Sequence, residues 1–265
     1  MDNYSLAFPK KSKGFLLQQL IKLRLFADFK RSFLGWLWLL ILPLFAILTW
    51  IFMKGAGILD PGETKIPYTA FVLLSTTIWA LFFDTYKNCS QIFTTYGKTL
   101  LVNKLPIEII IFNELIVGMI KFSIPFIFII IYLLFAGITI DPLAFIFPLA
   151  IIPLQLFGAS IGLLTGLFSA IAKDFSLLTD NIIKLFMLLS PVVYSPEIST
   201  GLLATIIKYN PLTYLISSPR NILLYGELYH PTTSLINFAF AILLFLLVTR
   251  FFVINTARIL EREGV

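Results

Sequence analysis

The residues of this sequence best suited to chemistry are four charged side chains inside otherwise apolar segments. Glu114 and Lys121 are seven residues apart, two turns along one face of a helix. Asp180 and Lys184 have the i, i+4 spacing at which opposite charges pair on a helix. Charges inside a membrane are costly and often functional, so a substrate site or a proton relay is one interpretation. We expect the alternative, in which each pair is structural and neutralises itself.

Other motifs that carry chemistry are incomplete. Gly97-Lys98-Thr99 matches the end of a phosphate-binding loop, but Ile92 stands where that loop needs its first glycine. The single His230 and the single Cys89 have no neighbours that complete a nucleophilic or metal-binding set. The sequence therefore predicts no catalytic residue, no metal site and no cofactor bound by this chain.

The composition indicates which kind of element holds these residues. Of the 265 residues, 58% are hydrophobic and only 13% are charged, whereas soluble domains carry roughly 25% charged residues. This shortage of charge excludes a soluble globular domain and a nucleic-acid-binding protein. The formal net charge of +6 is explained by basic residues that lie beside membrane lipid.

Six apolar segments approach the roughly 20 residues that a helix needs to cross a bilayer. We predict an all-α integral membrane protein with a single transmembrane domain over residues 1–265. The predicted spans are 32–54, 66–86, 106–137, 142–172, 176–195 and 232–254. The predicted connecting elements are an N-terminal amphipathic interface helix in 1–31, a cytoplasmic coupling segment in 87–105, re-entrant extracellular helices in 196–231 and a cytoplasmic tail in 255–265.

The distribution of basic residues predicts the orientation of the spans. With a cytoplasmic N-terminus, the inner segments hold 14 of the 20 Lys and Arg residues. The outer segments hold four, namely Lys54, Lys65, Lys208 and Arg220. Cytoplasmic loops carry such an excess of Lys and Arg. We therefore predict that both termini are cytoplasmic.

Small residues recur in the fourth predicted span at Gly158, Gly162 and Gly166. This spacing lets the backbone of a neighbouring helix approach closely. The neighbour is either a second copy of the chain or a helix of the same chain, and we expect the latter.

Aromatic residues lie at many predicted span ends, as is typical of the membrane interface. Some could instead line a path for sugar rings, whose C–H faces stack on aromatic rings. The candidates for such a path are Trp36, Trp38, Trp50, Phe82, Phe83, Phe186 and Tyr194. For each of them, the alternative is a place in the interfacial belt or in the core.

Two stretches resemble a known family. The first is Ser32-x-Leu34-Gly35-x-x-Trp38-x4-Pro43. The second runs from Lys173-Asp174 through Ser190-Pro191-Val192-Val193-Tyr194 to Asn210-Pro211, Arg220 and Gly226. Together they resemble the membrane subunit of ABC type-2 polysaccharide exporters, the Wzm group that exports O-antigen, with its capsule and wall-teichoic-acid relatives.

This resemblance implies the permease half of a transporter in a bacterial inner membrane. The implied partners are a second copy of the chain and two copies of a cytoplasmic ATPase, which would bind ATP and Mg²⁺, so this chain itself would not be an enzyme. The implied cargo is an O-antigen-like glycan linked to a polyprenyl diphosphate. It would pass from the cytoplasmic to the outer side between the two permeases, largely along spans one and five.

The resemblance also implies roles for residues on the cytoplasmic side. The segment 87–105 would form a coupling helix that contacts the ATPase, through Tyr96, Gly97, Lys98, Thr99 and Lys104. The basic residues Arg24, Lys30 and Arg31 would lie at the interface or bind the diphosphate of the carrier lipid.

Two other functions fit parts of the sequence. An exporter of a small hydrophobic drug or lipid would share the six spans and the coupling segment. An integral membrane enzyme that acts on lipid-linked substrates would need polar catalytic groups at a membrane boundary. For that role the sequence offers only scattered carboxylates and His230.

Overall fold

The computed structural model describes residues 13–29, 34–62, 64, 66–103, 105–197 and 201–262. Within these ranges all regular secondary structure is helical, as the composition predicts. The α-helices are α1 Lys13–Phe29, α2 Trp38–Gly55, α3 Tyr68–Ser90, α4 Ile92–Asn103, α5 Ile107–Phe135, α6 Phe147–Ala150, α7 Ile152–Ser169, α8 Asp174–Leu188, α9 Gly201–Tyr209, α10 Pro211–Tyr225 and α11 Pro231–Arg262.

Five helical segments among the described residues are long and apolar enough to cross a membrane. They are α2, α3, α5, the segment Pro142–Ser169 that ends in α7, and α11. Each coincides with a predicted span. The helix α11 continues beyond residue 254 to Arg262, so most of the predicted tail is helical.

The helix predicted over residues 176–195 is wrong over its last seven residues, because α8 ends at Leu188. Its 15 residues reach about 22 Å, less than the roughly 30 Å of a bilayer core. The chain then turns through residues 189–196, which we call the reversal segment. Pro191 supplies no backbone N–H there, and polar side chains bind the carbonyl groups of the segment, as described below.

The region between α8 and α11 holds two short helices, as predicted, and α10 shows how its sequence sets its ends. The Oδ1 atom of Asn210 accepts a hydrogen bond from the backbone N–H of Leu212 at 3.0 Å, and Pro211 occupies the first helical position. The helix ends at Gly226, whose φ of 65° is the left-handed conformation that glycine tolerates. Residues 212–224 of this helix are all buried.

The centre of the fold is α3, which packs against α2, α5, α7, α8 and α10. The closest approach is to α7. A Cβ atom added at Gly158 would lie 2.7 Å from the carbonyl oxygen of Phe82, and one at Gly162 would lie 2.3 Å from that of Tyr86. At Gly166 the distance to the carbonyl oxygen of Ser90 would be 3.1 Å. The prediction that the small residues contact a helix of the same chain is therefore confirmed.

The predicted coupling segment forms a helix of its own. After α3 ends at Ser90, the single residue Gln91 separates it from α4. The buried side chains of α4 recur at helical spacing, at Ile92, Phe93, Tyr96 and Leu100. The interface helix α1 packs against α5.

Candidate functional site

The carboxylate of Glu114 on α5 is the centre of a buried polar cluster. Its side chain is only 1% exposed. The Oε1 atom accepts hydrogen bonds from the hydroxyl of Tyr96 at 2.5 Å and from the amide of Asn113 at 3.2 Å. The Nε atom of Arg24 lies 3.3 Å from Oε1 and 3.4 Å from Oε2. Glu114 therefore has a cation and two neutral donors around it.

The cluster joins four helices because Arg24 also reaches α3. The guanidinium donates a hydrogen bond to Oδ1 of Asn88 at 3.3 Å. We call Arg24, Asn88, Tyr96, Asn113 and Glu114 the coupling cluster, since it connects α1 and α4, the predicted interface and coupling helices, with the spans α3 and α5. A buried carboxylate costs several kcal/mol unless it is paired and hydrogen-bonded, so these contacts explain how Glu114 is tolerated.

The prediction that Glu114 and Lys121 neutralise each other is therefore wrong. The carboxylate of Glu114 points to α1 and α4, whereas Lys121 lines a cleft between α2, α3 and α5. That cleft has a volume of about 630 Å³. Its wall includes Asp84, whose carboxylate is acted on by the positive charge of Lys121. The positive charge of Lys121 thus acts on a carboxylate of α3.

The predicted pair of Asp180 and Lys184 is also wrong. The carboxylate of Asp180 accepts a hydrogen bond from the hydroxyl of Tyr86 at 2.8 Å and forms an ion pair with Lys87. Both partners lie in the last turns of α3, and the side chain of Lys184 is exposed. Asp180 therefore connects α8 to α3, and the spacing along α8 does not decide its partner.

Tyr96 was predicted to contact the ATPase, but it points into the protein. Its phenol ring is buried and its hydroxyl contacts Glu114. The exposed side of α4 includes Thr94 and Thr95. Of the other predicted contact residues, Gly97, Lys98 and Thr99 lie in α4, and Lys104 lies outside the described residues, as do Lys30 and Arg31. Arg24, predicted at the interface or as a diphosphate ligand, is engaged in the coupling cluster.

The aromatic residues proposed for a substrate path lie in different environments. Phe82 and Tyr194 are buried in the core, and the ring of Phe82 is in contact with Trp79 and Phe157. Trp38 and Phe83 line the cleft that contains Lys121. Trp50 packs against the core, and Phe186 is exposed on α8. Trp36 lies in a short 3₁₀ turn before α2. The six of these side chains that the structure describes do not line one common surface.

A second polar site holds the reversal segment. Arg220 on α10 is fully buried. It donates hydrogen bonds to the carbonyl oxygen of Pro191 at 2.6 Å, to Oγ of Ser75 at 3.2 Å and to Oγ of Ser217 at 3.1 Å. Its guanidinium also lies over the ring of Phe71, 4.2 Å from the centroid. Arg220 was counted among the basic residues of the outer segments, and the structure shows that its side chain is buried in the protein.

The amide of Asn210 holds the other end of the same segment. Its Nδ2 atom donates hydrogen bonds to Oγ of Ser190 at 3.0 Å and to the carbonyl oxygen of Leu189 at 3.2 Å. In addition, the hydroxyl of Tyr68 binds the carbonyl oxygen of Val193 at 3.0 Å. Ser190, Asn210 and Arg220 belong to the second stretch that resembles the known family. The structure shows that they are neighbours in space and that they stabilise the reversal segment.

We expect Arg220→Lys to destabilise the fold by about 2 kcal/mol or more, because lysine cannot reproduce the forked hydrogen bonds and the stacking. The measurement is the thermal midpoint of unfolding in detergent. The matched control is Arg250→Lys, which changes an exposed guanidinium on α11 and is expected to leave the midpoint unchanged. Equal midpoints for both variants would contradict this role of Arg220.

Five long apolar helices and a buried polar cluster at one end of them define a multi-pass membrane protein. The sequence profile of the family described as ABC-2 type transporter matches residues 17–224, so the chain belongs to that family. The match extends from α1 to α10 and includes the coupling cluster. The family places the chain as the permease subunit of a transporter that works with a cytoplasmic ATPase subunit.

Sequence comparison with a known permease indicates which kind of ABC-2 transporter the chain resembles. The chain is 24% identical over 241 residues to the O-antigen export system permease protein RfbA of Klebsiella pneumoniae. The aligned part covers 88% of this chain and 91% of that protein. The short motifs indicated a resemblance to the membrane subunits of the Wzm group. The family match and this relative confirm that the chain is a Wzm-like ABC-2 permease.

Proposed function

We propose that this chain is the membrane half of an exporter that moves a lipid-linked polysaccharide out of the cytoplasm. The cargo would be an O-antigen-like glycan on a polyprenyl diphosphate, and the membrane a bacterial inner membrane. Two copies of the chain and two ATPase subunits would form the working transporter. The family match and the similarity to an O-antigen export permease support this assignment.

The proposed topology has six spans with both termini cytoplasmic. It counts α8 and the reversal segment as the fifth crossing, beside the five long helices. The short helices α9 and α10 would then enter the outer side of the membrane without crossing it. The buried length of α10 supports this arrangement, because irregular or short segments at membrane depth are tolerated where protein surrounds them.

The observation that carries the proposal is the coupling cluster. A movement of the ATPase against the exposed side of α4 would reach Glu114 through the hydroxyl of Tyr96, at 2.5 Å. Glu114 in turn is bound to Arg24 of the interface helix. A single buried contact set thus connects the element that would meet the ATPase to the span α5 and to the helix α1, which would lie on the membrane surface. Coupling of this kind requires that ATP favour one conformation of the permease over another.

The cargo would pass between the two permeases, beside spans one and five. In this chain those elements are α2 and α8, and both expose most of their apolar side chains, including Leu44, Phe45, Leu48 and Leu185. Membrane lipid or the second copy would cover these surfaces. Binding of the carrier diphosphate is proposed for Lys30 and Arg31, since Arg24 is held by Glu114.

Tyr96→Phe tests the proposed route of coupling. The change keeps the buried ring but removes the hydrogen bond to Glu114. We expect ATP hydrolysis by the reconstituted complex to continue, while glycan transported per ATP falls about fivefold or more, since a hydrogen bond to a charged group contributes about 1.5–3 kcal/mol. The readout is transport and phosphate release in the same proteoliposomes. Tyr209→Phe, at an exposed tyrosine, is the control and is expected to retain the wild-type ratio.

A separate measurement tests which cargo the transporter accepts. ATP hydrolysis by proteoliposomes with wild-type permease should rise when polyprenyl-diphosphate-linked glycan is added. A small hydrophobic drug or an unmodified membrane lipid should leave the rate unchanged. A response to the drug alone would contradict the glycan assignment. It would not decide whether coupling runs through Tyr96, which the Tyr96→Phe variant tests separately.

A further inference from the structure

A groove between α5 and α11 combines an apolar wall with two opposite charges. Its volume is about 510 Å³. The wall is formed by Ile111, Phe112, Phe245, Leu246, Val253 and Ile254, and the charged residues are Glu108 and Arg250. Both helices are candidate membrane spans, and Phe112, Leu246 and Ile254 are exposed. The groove therefore opens toward lipid.

The two charges of this groove are unpaired in the part of the chain that the structure describes. Among the residues that the structure describes, neither Glu108 nor Arg250 forms an ion pair or a side-chain hydrogen bond, with each other or with another group. The carboxylates of Glu114 and Asp180, by contrast, each meet a cation. A charge beside hydrocarbon is costly unless an opposite charge accompanies it. Within the described part of the chain, Glu108 and Arg250 are thus available to bind the opposite charges of a ligand.

The position of the charges along the two helices is that of a lipid head group. Glu108 is in the first turn of α5, one turn nearer the helix start than Phe112. Arg250 lies one turn beyond Leu246 on α11, which runs toward the same end of the bundle as the start of α5. Both charges are therefore near the end that carries α4. The exposed Phe112 and Leu246 lie on the side of the charges toward the bilayer centre, and Ile254 lies one turn beyond Arg250 on the other side.

We propose that this groove binds a phospholipid with a zwitterionic, primary-amine head group, of the phosphatidylethanolamine class. The phosphate binds Arg250, the ammonium group binds Glu108, and an acyl chain lies over Phe112 and Leu246. An anionic lipid such as phosphatidylglycerol supplies the phosphate but leaves Glu108 unpaired. The quaternary amine of phosphatidylcholine has no N–H to donate to the carboxylate. This site is independent of the cargo and of the coupling cluster.

Native mass spectrometry of the purified permease tests the proposal. The protein is incubated with an equimolar mixture of phosphatidylethanolamine, phosphatidylglycerol and phosphatidylcholine, and the bound lipids are counted. We expect wild type to retain the ethanolamine lipid about threefold over each of the others, the scale of one partly exposed ion pair. Glu108→Gln should lower this ratio to about one, and Arg250→Gln should reduce binding of all three lipids.

The matched control is Lys208→Gln, which removes an exposed cation from α9 and is expected to keep the wild-type ratio. A phosphatidylethanolamine with a photoreactive acyl chain provides a second measurement that needs no variant. Its adducts should map to peptides of α5 and α11 that contain Phe112 and Leu246. Identical lipid ratios in all four proteins, or adducts confined to other helices, would overturn the proposal.

Discussion

Gly162→Ala is expected to lower the stability of the folded permease by about 3 kcal/mol, at the upper end of the usual cost of overpacking. The added Cβ atom would lie 2.3 Å from the carbonyl oxygen of Tyr86 and 2.7 Å from Cβ of Cys89. The first of these is a backbone atom in the middle of the fold, so it cannot move aside as a flexible side chain would. The two helices must separate, and the contacts between α3 and α7 on both sides of the glycine are lost.

The three glycines of α7 form a graded series that makes this prediction specific. At Gly158 the distance to a backbone oxygen would be 2.7 Å, and at Gly166 it would be 3.1 Å. The loss of thermal stability in detergent should therefore be largest for Gly162→Ala, smaller for Gly158→Ala and smallest for Gly166→Ala. Gly55→Ala is the control, because no atom lies within 4 Å of its Cβ position. It should leave stability unchanged or raise it slightly.

The alternative arrangement, in which these glycines join two copies of the chain, predicts a different result. The alanine variants would then shift the balance between monomer and dimer and leave the unfolding of each monomer unaffected. Sedimentation of the variants beside their thermal midpoints distinguishes the two cases. A changed dimer fraction with unchanged midpoints in all three variants would show that the contact with α3 does not limit stability.

The close helix contact at the glycines could be predicted from the sequence, because it depends on the residues of a single helix. Close approach needs only small residues at every fourth position, and that pattern is local. The long spans were readable for a similar reason, since roughly 20 apolar residues fix both the element and its environment. The identity of the neighbouring helix was the one choice left open, and the contacts of Gly158 and Gly162 with α3 settle it.

The partners of the buried charged residues could not be predicted from the sequence. Within a helix, spacing favours Glu114 with Lys121 and Asp180 with Lys184, but the structure pairs each acid with a residue about 90 positions away. Arg24 and Glu114 are separated by 90 residues, and Lys87 and Asp180 by 93. A buried acid binds the cation that the packing of helices places beside it. Local spacing contains no information about that packing.

The sequence contains residues that explain why α8 ends early, but the high hydropathy of the segment outweighed them in the prediction. Residues 189–194 are apolar enough to extend a predicted span, yet Ser190 and Pro191 introduce a turn. The buried Arg220 and Asn210 stabilise this turn through carbonyl groups that a continuous helix would have used itself. Arg220 entered the prediction only as a basic residue of an outer segment and as a motif residue, so its bond to a backbone carbonyl group was not predicted from the sequence.

The largest functional effect is expected at the ion pair of Arg24 and Glu114. Arg24→Met leaves a carboxylate that is 1% exposed without its cation. Removing one partner of a buried pair costs about 3–5 kcal/mol. Glu114→Gln should cost less, because the guanidinium is 18% exposed and can reach water, and because the glutamine oxygen still accepts the hydrogen bond of Tyr96.

The double variant Arg24→Met with Glu114→Gln separates stability from coupling. It removes both charges, so the penalty of an unpaired carboxylate disappears. Its stability should exceed that of Arg24→Met alone, with a coupling energy of about 2 kcal/mol between the two sites. Additive losses in the double-mutant cycle would contradict the pairing. Lys22→Met, at an exposed position of α1, is the control for loss of a cation from this helix.

Restored stability should not restore transport. In the double variant α1 and α5 no longer share an ion pair, so a movement of α4 that reaches residue 114 through Tyr96 has no charged connection to the interface helix. We expect the reconstituted double variant to hydrolyse ATP while exporting glycan at least about tenfold more slowly than wild type, the rate change for about 1.4 kcal/mol. Wild-type transport by this stable protein would mean that the coupling cluster holds the fold together without transmitting the movement.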